Sequence, residues 1–506
     1  MANLRFSIGR LSLGRRHLHH HARTETLLEQ VGLRQRELAR LGLDEEPFVL
    51  CSRNSLACAA TLRAASDLRA SLLLAPNGAP SVLAAAVAHA GVGTVVDHKP
   101  DGTLIVVQAE AREAAPRLSG WRRSKAFGDT DSGACVVATS GSGQQGSKLV
   151  AYRWAACQEQ AIATVERTLR KAAPNGGPLR FIAASNIGHA YNLNGMFSAL
   201  AGDAELCVPS CPAELAASLA EPTSAEATVL FGTPANYDAL LRESGVRAGA
   251  LRSTSKSGSL YAFSAGCPLP PAIRMGVEAA LGVRVLQNYG SSETGNIALE
   301  EIGGAGTAVA DGNEGGTATD TLKQRETAPH TVMRNVGVPW GILQLRPALA
   351  GALLPCDAHG EISILVPWAS EGYIIDGELV PHDAAPFIRT GDAGRLGPLS
   401  VSGQQHTLEV GHRLRPPLEL RRGGMRILLQ QYEVEEALLR ANPSAKGAAA
   451  LQGPSGTLWC VLESESQAEV SPLVGGGPQP DRTIVVQALP RSPAGKVLYS
   501  QLQLMF

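Results

Sequence analysis

Lys496, near the end of the chain, could contribute a positive charge to a reaction. It follows a turn rich in proline and glycine, residues 489–495, which presents the lysine from a loop. A reaction that builds negative charge is stabilised far better by a cation in a closed, water-poor site than by one in solvent. Lys496 is therefore the first candidate for a catalytic residue.

A second lysine, Lys148, closes a loop of glycine, serine and threonine that starts at Thr139 and follows the apolar run 134–138. Glycines let backbone N–H groups turn toward an anion, hydroxyls add donors, and the lysine adds charge. The Walker A pattern GxxxxGK[ST] is absent, and a loop without a ligand is the alternative. The residues predicted to bind phosphate are Thr139, Ser140, Gly141, Ser142 and Lys148.

Two further segments end predicted strands with polar side chains. Residues 288–295 read Asn-Tyr-Gly-Ser-Ser-Glu-Thr-Gly and follow the apolar run 283–287, which suits ligand binding at the carboxyl edge of a parallel sheet. Residues 389–392 read Arg-Thr-Gly-Asp, and the carboxylate of Asp392 can accept two hydroxyl donors at once. The alternative interpretation is that both segments are structural turns that bind no ligand.

In this order and at this spacing, the four segments resemble the core motifs of the ANL superfamily, which holds acyl-CoA synthetases, peptide-synthetase adenylation domains and luciferases. The resemblance spans residues 130–506. It implies that a small carboxylic acid is activated by ATP and Mg²⁺ to acyl-AMP with release of pyrophosphate. The acyl group then passes to the phosphopantetheine thiol of coenzyme A or of a separate acyl carrier protein.

The resemblance also implies roles for single residues. Tyr289 stacks on adenine beside the loop 264–270, Asp392 holds the ribose hydroxyls, and Ser292 lies at the α-phosphate. Glu293 ligates Mg²⁺, which prefers oxygen ligands. The full set expected to contact the nucleotide is Thr139, Ser140, Gly141, Ser142, Lys148, Gly266, Cys267, Asn288, Tyr289, Gly290, Ser291, Ser292, Asp392 and Arg413.

The chain departs from the family pattern in two places. Lys148 sits one residue later than usual in the phosphate loop, and the hinge motif GRxDDxIKxxG is matched only weakly by residues 410–424. An arginine cluster occupies this region, which suits the phosphates of coenzyme A or an acidic carrier protein, or else a solvated linker. Its members are Arg413, Arg415, Arg421, Arg422 and Arg426.

Residues 186–195 resemble the histidine-containing segment of acyl- and aryl-CoA synthetases, in which His189 gates the site or lies beside the carboxylate. A structural histidine is the alternative. In amino-acid-activating relatives the next residue is an aspartate that pairs with the α-ammonium, whereas here it is Ala190. A buried ammonium without a counter-charge is costly. We therefore expect an acid that lacks an α-amino group, either an aryl acid or one with a modest acyl chain.

Composition excludes several classes of protein. The 45 basic and 46 acidic residues nearly balance, which gives no indication of nucleic-acid binding. The nine cysteines form no CxxC pair, so neither a zinc site nor a disulfide framework is predicted, and a reducing cytoplasm is expected. No apolar run approaches the length of about 20 residues that spans a bilayer.

Short apolar runs alternate with alanine-rich helical segments, which predicts parallel α/β layers. The predicted strands are 48–51, 71–74, 93–96, 181–183, 205–208, 228–231 and 283–286, and the predicted helices 24–43, 55–66 and 81–90. A β-rich lobe is expected around 360–366. The predicted architecture is a large N-terminal adenylate-forming domain, residues 1–402, and a small mobile α+β domain, residues 403–506.

Three functions remain open at this point. The first is the acid–thiol ligase described above. The second is an amide synthetase, which shares the first half-reaction but uses an amine as acceptor. The third is a non-catalytic acyl-adenylate binder, favoured by the altered phosphate loop and hinge and opposed by the presence of Glu293, Asp392 and Lys496.

Overall fold

The computed structural model describes most of the chain. The described residues are 21–22, 24–77, 92, 94–99, 102–108, 133–139, 148–243, 259–302, 334–336, 338–346, 360–375, 378–382, 386–400, 405–414, 418–422, 425–429, 431–442, 445–464, 479–491 and 497–505. The predicted helix 81–90 lies outside them.

Strands dominate the described architecture. In the first part of the chain they are β1 (His21–Ala22), β2 (Phe48–Ser52), β3 (Leu72–Pro76), β4 (Thr94–His98), β5 (Leu104–Gln108), β6 (Ala134–Ala138), β7 (Leu149–Arg153), β8 (Leu179–Ala183), β9 (Glu205–Cys207), β10 (Ala227–Gly232), β11 (Ser259–Ser264), β12 (Val285–Ser291) and β13 (Gly295–Leu299). In the second part they are β14 (Arg334–Asn335), β15 (Val338–Pro339), β16 (Ile342–Arg346), β17 (Gly360–Leu365), β18 (Gly372–Ile375), β19 (Glu378–Pro381), β20 (Ile388–Leu399), β21 (His406–Arg413), β22 (Leu418–Arg422), β23 (Met425–Leu429), β24 (Gly447–Gln452), β25 (Leu458–Glu463) and β26 (Arg482–Val486).

Helices connect many of the strands. The described helices are α1 (Thr24–Arg40), α2 (Leu56–Leu68), α3 (Trp154–Thr164), α4 (Arg170–Ala172), α5 (Ala190–Ala201), α6 (Pro212–Ala220), α7 (Pro234–Arg242), α8 (Pro271–Leu281), α9 (Gln431–Ala441) and α10 (Tyr499–Met505). A π-helical turn, Val165–Leu169, joins α3 to α4.

Local sequence explains several helix ends. Ser55 precedes α2, and its hydroxyl accepts from the amide of Cys58, which satisfies one of the free N–H groups of the first turn. Thr233 and Asn236 form a reciprocal capping box at the start of α7. Gly282 ends α8 at φ 73°, the left-handed conformation that glycine adopts without strain.

Two eight-stranded sheets form the larger part of the molecule. The first sheet has the order β1-β9-β8-β10-β11-β12-β13-β15, and its central strands β9, β8, β10, β11 and β12 run parallel. The second sheet has the order β19-β18-β7-β6-β3-β2-β4-β5, in which β6, β3, β2 and β4 run parallel. These strands are continuous apolar runs because helices or other layers cover both faces.

Aromatic side chains fill the centre of the first sheet. The ring of Phe231 lies 4.9 Å from that of Phe181 and 5.5 Å from that of Phe263, both edge-on. Helix α5 packs on this cluster, and the Tyr191 ring stacks on Phe231 at 4.8 Å. Gly195 allows this approach, because a Cβ there would lie 2.9 Å from the Phe181 ring. This packing fixes the start of α5 relative to the strands.

A third sheet, with the order β14-β21-β20-β17-β16, is antiparallel. The C-terminal part contains the β22–β23 hairpin, the sheet β24-β25-β26 and helix α9, whose Val434 and Leu438 are buried against these strands. The predicted α/β layers and the β-rich lobe are thus confirmed. Within the described residues, no helix is both long and apolar enough to cross a membrane.

The strand pairing bears on the predicted domain boundary. Residue 402 falls between β20 and β21, which pair with each other, with Asp392 opposite Arg413. The next hairpin begins at Leu418. A boundary after Arg413 therefore fits the pairing better than residue 402, and we carry the division into domains forward as a proposal.

Candidate active site

The carboxyl ends of the parallel strands in the first sheet meet at one edge. Strand β8 leads to the turn that ends at His189, β11 leads to Gly266, and β12 carries Asn288 and Tyr289. Gly266 adopts φ 91°, which only glycine accepts readily, so the loop after β11 can turn sharply at this edge. Such an edge is where open α/β sheets bind ligands.

The turn between β12 and β13 has a fixed shape. The hydroxyl of Ser291 accepts from the backbone amides of Glu293 and Thr294, each at 3.2 Å, and lies 2.9 Å from the Thr294 hydroxyl. Gly290 sits where β12 and β13 shift register, with the Gly295 carbonyl directly beside it. These contacts determine where the Glu293 side chain leaves the backbone.

Gly290→Ala should damage this turn. The added Cβ would lie 2.3 Å from the Gly295 carbonyl oxygen, which belongs to the paired backbone and cannot move aside. We expect a loss of about 1 to 3 kcal/mol in the free energy of unfolding, measured by denaturant titration. Gly32→Ala, in helix α1 with 3.8 Å of clearance, is the matched control and should be neutral or stabilising. Equal stability of the two variants would contradict this account of the turn.

Asp392 joins the third sheet to the first. Its Oδ2 accepts from the Tyr289 hydroxyl at 2.7 Å, and its Oδ1 accepts from Arg413 Nη1 at 3.1 Å. Arg413 also donates to the carbonyl of Thr390 at 2.5 Å. Burial raises the pKa of Tyr289, and the Asp392 charge adds to this rise. Burial lowers the pKa of Arg413, but Asp392 outweighs that effect and the net shift is upward, so the arginine stays charged.

Glu293 is joined to the second sheet. The Tyr373 hydroxyl donates to Glu293 Oε1 at 3.1 Å, and the Lys148 ammonium lies 5.0 Å from the centre of the Tyr373 ring. Burial raises the pKa of Tyr373, and the Glu293 charge raises it further. The phenol therefore remains a hydrogen-bond donor at neutral pH. Glu293 and Lys148, which closes the predicted phosphate loop, thus both contact Tyr373.

A third tyrosine makes a similar link. The Tyr152 hydroxyl, on β7 of the second sheet, donates to the carbonyl of Ser292. With the contacts of Tyr289 and Tyr373, three tyrosine hydroxyls connect three sheets around the hairpin β12–β13. The arrangement places a carboxylate, an ion pair and a lysine around the end of β12, which suits a polyanionic ligand that carries a metal ion.

Comparison with known families agrees with this geometry. Residues 37–374, about two thirds of the chain, match the family described as AMP-binding enzyme. The chain belongs to the AMP-binding enzymes. Among curated proteins, none matches its sequence at a significant level.

Solved structures show the same fold. ATP-bound MatB from Rhodopseudomonas palustris is 18% identical, with 95% of this chain and 93% of that chain covered and a TM-score of 0.66. The amide bond synthetase McbA from Marinactinospora thermotolerans is 19% identical, with 95% and 94% covered and a TM-score of 0.61. A benzoate CoA ligase from Burkholderia xenovorans is 16% identical, with 94% and 93% covered and a TM-score of 0.62.

This AMP-binding enzyme holds the two ends of its predicted phosphate loop together. The amide of Thr139 donates to the Lys148 carbonyl at 2.8 Å, and the amide of Lys148 donates to the Thr139 hydroxyl at 3.2 Å. Four residues of the predicted site lie outside the described residues, namely Ser140, Gly141, Ser142 and Lys496. Near Lys496, Arg491 and Val497 form an antiparallel bridge, so the ends of that turn are adjacent.

A magnesium ion fits the donor set of this AMP-binding enzyme. No group of three or more histidine, cysteine, aspartate or glutamate side chains able to hold a metal occurs in the described part of the chain. Mg²⁺ commonly binds through one or two carboxylates together with substrate phosphates rather than in an all-protein cage. The single carboxylate of Glu293, beside a lysine that can meet phosphate, matches this mode.

His189 and Ala190 lie at the start of helix α5. His189 is half-buried, its amide donates to the Asn186 carbonyl at 3.0 Å, and its own carbonyl accepts from the amide of Leu193. Its catalytic role stays a prediction. Ala190 lines an internal cavity of about 10 Å³, close to the smallest that holds one water molecule. The other lining residues are Tyr152, Cys157, Gln160, Leu193 and Asn194.

Sequence reasoning missed Tyr152 and Tyr373. Both tyrosines lie on strands, and their partners Ser292 and Glu293 are 140 and 80 residues away. No pattern in the neighbouring sequence predicts contacts over such distances. Gly372, just before Tyr373, adopts φ 153°, and a Cβ there would lie 2.1 Å from the Val380 carbonyl oxygen; this explains the glycine but does not indicate which residue Tyr373 contacts.

The basic cluster of the C-terminal part is not a free surface throughout. Arg413 forms an ion pair with Asp392. Arg422 donates to Asp481 Oδ2 at 3.0 Å and to the Gln479 carbonyl. Arg415 and the side chain of Arg426 lie outside the described residues. A role for this cluster toward coenzyme A or a carrier protein stays a prediction.

Proposed function

We propose that this AMP-binding enzyme activates a carboxylic acid with ATP, forming acyl-AMP and releasing pyrophosphate. The observation that supports this most is the convergence of Tyr289, Asp392 and Glu293 at the end of β12, although they come from two sheets. A ring for the base, a carboxylate for the ribose and a second carboxylate for the metal are the groups that a magnesium nucleotide requires.

The nucleoside end is assigned to Tyr289 and Asp392. The Tyr289 ring would provide a flat apolar face for adenine, and the loop with Gly266 and Cys267 follows the neighbouring strand β11. Each oxygen of Asp392 accepts one internal hydrogen bond, from Tyr289 and from Arg413. A carboxylate offers about four acceptor positions, so capacity remains for two ribose hydroxyls. Arg413 keeps the carboxylate oriented and compensates its charge.

The triphosphate end is assigned to Lys148, Ser292 and Glu293. The Glu293 carboxylate would hold Mg²⁺, which would supply positive charge to the phosphates. Lys148 contributes a positive charge beside the closed ends of the phosphate loop. Lys496 would approach the α-phosphate, where the attack of the acid's carboxylate oxygen displaces pyrophosphate. There it stabilises the charge that builds on the pentavalent phosphorus.

The neutral surroundings of Ala190 support an acid without an α-amino group. The cavity beside it is lined by phenol, thiol, amide and aliphatic side chains, and no carboxylate is among the described lining residues. The cavity is only about as large as one water molecule, so the acid is placed beside these side chains rather than among them, and none of them offers a counter-charge to an α-ammonium. An aryl acid or an acid with a short to modest chain is therefore the proposed substrate class.

For the second half-reaction we propose transfer to a phosphopantetheine thiol, on coenzyme A or on a separate acyl carrier protein. The thiol sulfur attacks the acyl carbon and gives up its proton to solvent, the thioester forms, the acyl–phosphate bond breaks, and AMP leaves with the electron pair of that bond. An amine acceptor, which would make an amide, is the alternative, and the shared fold with an amide bond synthetase keeps it open. The contacts of Glu293 and Asp392 argue against a non-catalytic binder.

The test is exchange of labelled pyrophosphate into ATP with a panel of acids. We expect exchange with at least one of benzoate, cinnamate or the C4 to C12 acids, and none with the proteinogenic amino acids. Removal of Mg²⁺ by a chelator should stop it. Exchange with an α-amino acid at least as fast as with its des-amino analogue would overturn the substrate class. Absence of exchange with every acid, in protein that binds ATP, would favour the non-catalytic binder.

The acceptor is identified in a second assay with the acid that supports exchange. Separate reactions contain coenzyme A, a phosphopantetheinylated carrier protein or a set of amines. Their products are identified by mass spectrometry. A thioester product supports the ligase. An amide formed without any thioester would replace it with the amide synthetase.

A further inference from the structure

The geometry points to Tyr373 as a positioning residue that sets the distance between the magnesium carboxylate, Glu293, and the cation of the phosphate loop, Lys148. This inference rests on the proposed function, which gives those two side chains their roles. Tyr373 itself touches neither the metal nor the phosphates in this assignment. It acts through the two side chains that do.

The two contacts of Tyr373 use different parts of its side chain. The hydroxyl donates to Glu293 Oε1 at 3.1 Å, whereas the π face lies 5.0 Å from the Lys148 ammonium. A hydrogen bond to a carboxylate fixes its orientation, and a ring face attracts a cation without consuming its donors. Lys148 therefore stays free to meet phosphate while it is held near Glu293.

The backbone fixes the Tyr373 ring in this position. Strand β18 pairs with β7, and Tyr373 lies opposite Val150, two residues after Lys148. Gly372 permits the approach to β19, because a Cβ there would meet the Val380 carbonyl. Lys148 directly precedes β7, so the backbone that carries the lysine is held beside the strand that carries the tyrosine.

Two further side chains, His382 and Ser370, connect the Tyr373 ring to the backbone of Glu293. The His382 ring lies edge-on to Tyr373 at 5.2 Å, and its Nε2 is 2.6 Å from the Ser370 hydroxyl. The amide of Ser370 donates to the backbone carbonyl of Glu293 at 2.8 Å. Residues 370–373 therefore hold Glu293 at both its backbone and its carboxylate, which a contact made only to fill space would not do.

The test uses Tyr373→Phe and Tyr373→Leu, with ATP binding measured by calorimetry at a series of Mg²⁺ concentrations and without any acid. Tyr373→Phe removes the hydroxyl and keeps the ring. We expect the Mg²⁺ concentration that gives half of the maximal effect on ATP binding (the Mg²⁺ half-effect concentration) to rise about tenfold. ATP binding without metal should be unchanged. Tyr373→Leu removes both contacts and should also weaken metal-free ATP binding, by about threefold.

Tyr499→Phe is the matched control. It removes another tyrosine-to-glutamate hydrogen bond, from Tyr499 to Glu435 Oε1 at 2.8 Å, in the C-terminal part of the chain. We expect it to leave the Mg²⁺ half-effect concentration unchanged. Thermal unfolding of each variant without ligand checks that the chain is folded, and Tyr373→Met, which also lacks the ring, replaces Tyr373→Leu if the leucine variant does not fold.

The outcomes separate this inference from the proposed function. If Tyr373→Phe binds magnesium-ATP like the wild type, the positioning role toward Glu293 is overturned. If Tyr373→Phe and Tyr373→Leu behave alike toward metal-free ATP, the role toward Lys148 is overturned. A wild-type protein that binds magnesium-ATP but exchanges no acid contradicts the proposed function only. A wild-type protein whose ATP binding ignores Mg²⁺ overturns both.

Discussion

Lys496→Ala should lower the rate of adenylate formation by about 10²- to 10³-fold, the scale for removing one preorganised donor to a transition state. The substitution removes the charge that the proposed function places at the α-phosphate. Arg491, just before the turn, is paired with Glu463 at 2.6 Å and is not expected to replace it. Pyrophosphate exchange with the best acid of the panel measures the effect.

The second half-reaction should respond differently to Lys496→Ala. Thiol transfer from a supplied acyl-adenylate breaks no bond to a triphosphate, so we expect it to survive largely intact. Lys446→Ala, which removes an exposed lysine from the same part of the chain, is the control and should change neither rate. An equal loss in both half-reactions would show that Lys496 does not act on the first step alone.

Glu293→Gln should raise the Mg²⁺ requirement of ATP use by at least about tenfold, since even groups that only orient metal ligands typically change metal affinity by this much. The amide is a poorer ligand for a hard cation, but its oxygen can still accept from Tyr373 at the same place. The fold should therefore be retained. ATP kinetics across a Mg²⁺ titration, with thermal unfolding alongside, measure both effects.

Glu301→Gln provides the matched control for Glu293→Gln. Glu301 lies eight residues further along the chain and pairs with Lys171 at 3.5 Å, on the surface. Surface ion pairs of this kind contribute little to stability. We expect no change in the Mg²⁺ requirement. An unchanged requirement in Glu293→Gln as well would remove Glu293 from the metal site.

Much of the fold could be predicted because its signals are local. The apolar runs 48–51, 181–183 and 228–231 fall within β2, β8 and β10. Each is short, continuous and buried on both faces, which is typical of central parallel strands. Strand ends were harder, and β12 extends to Ser291 because its pairing with β13 continues beyond the apolar run.

The site could be predicted only as separate pieces. Each of the segments with Lys148, Glu293 and Asp392 carries a recognisable pattern along the chain. The tyrosines that join these segments carry no such pattern, because tyrosine is common in strands of every kind. Which carboxylate Tyr373 reaches depends on how two sheets pack, and that is decided by the whole core.

The tyrosine links between sheets have a consequence for how the chain becomes active during its synthesis. The hydrogen bonds of Tyr373, Tyr289 and Tyr152 span 80, 103 and 140 residues. Contacts this distant in sequence form late, after the segments between them have left the ribosome and folded. A nascent chain that ends before Asp392 can assemble much of its first sheet but lacks the carboxylate that the proposed function assigns to the ribose. Incomplete products of translation would therefore bind nucleotide poorly and would not consume ATP.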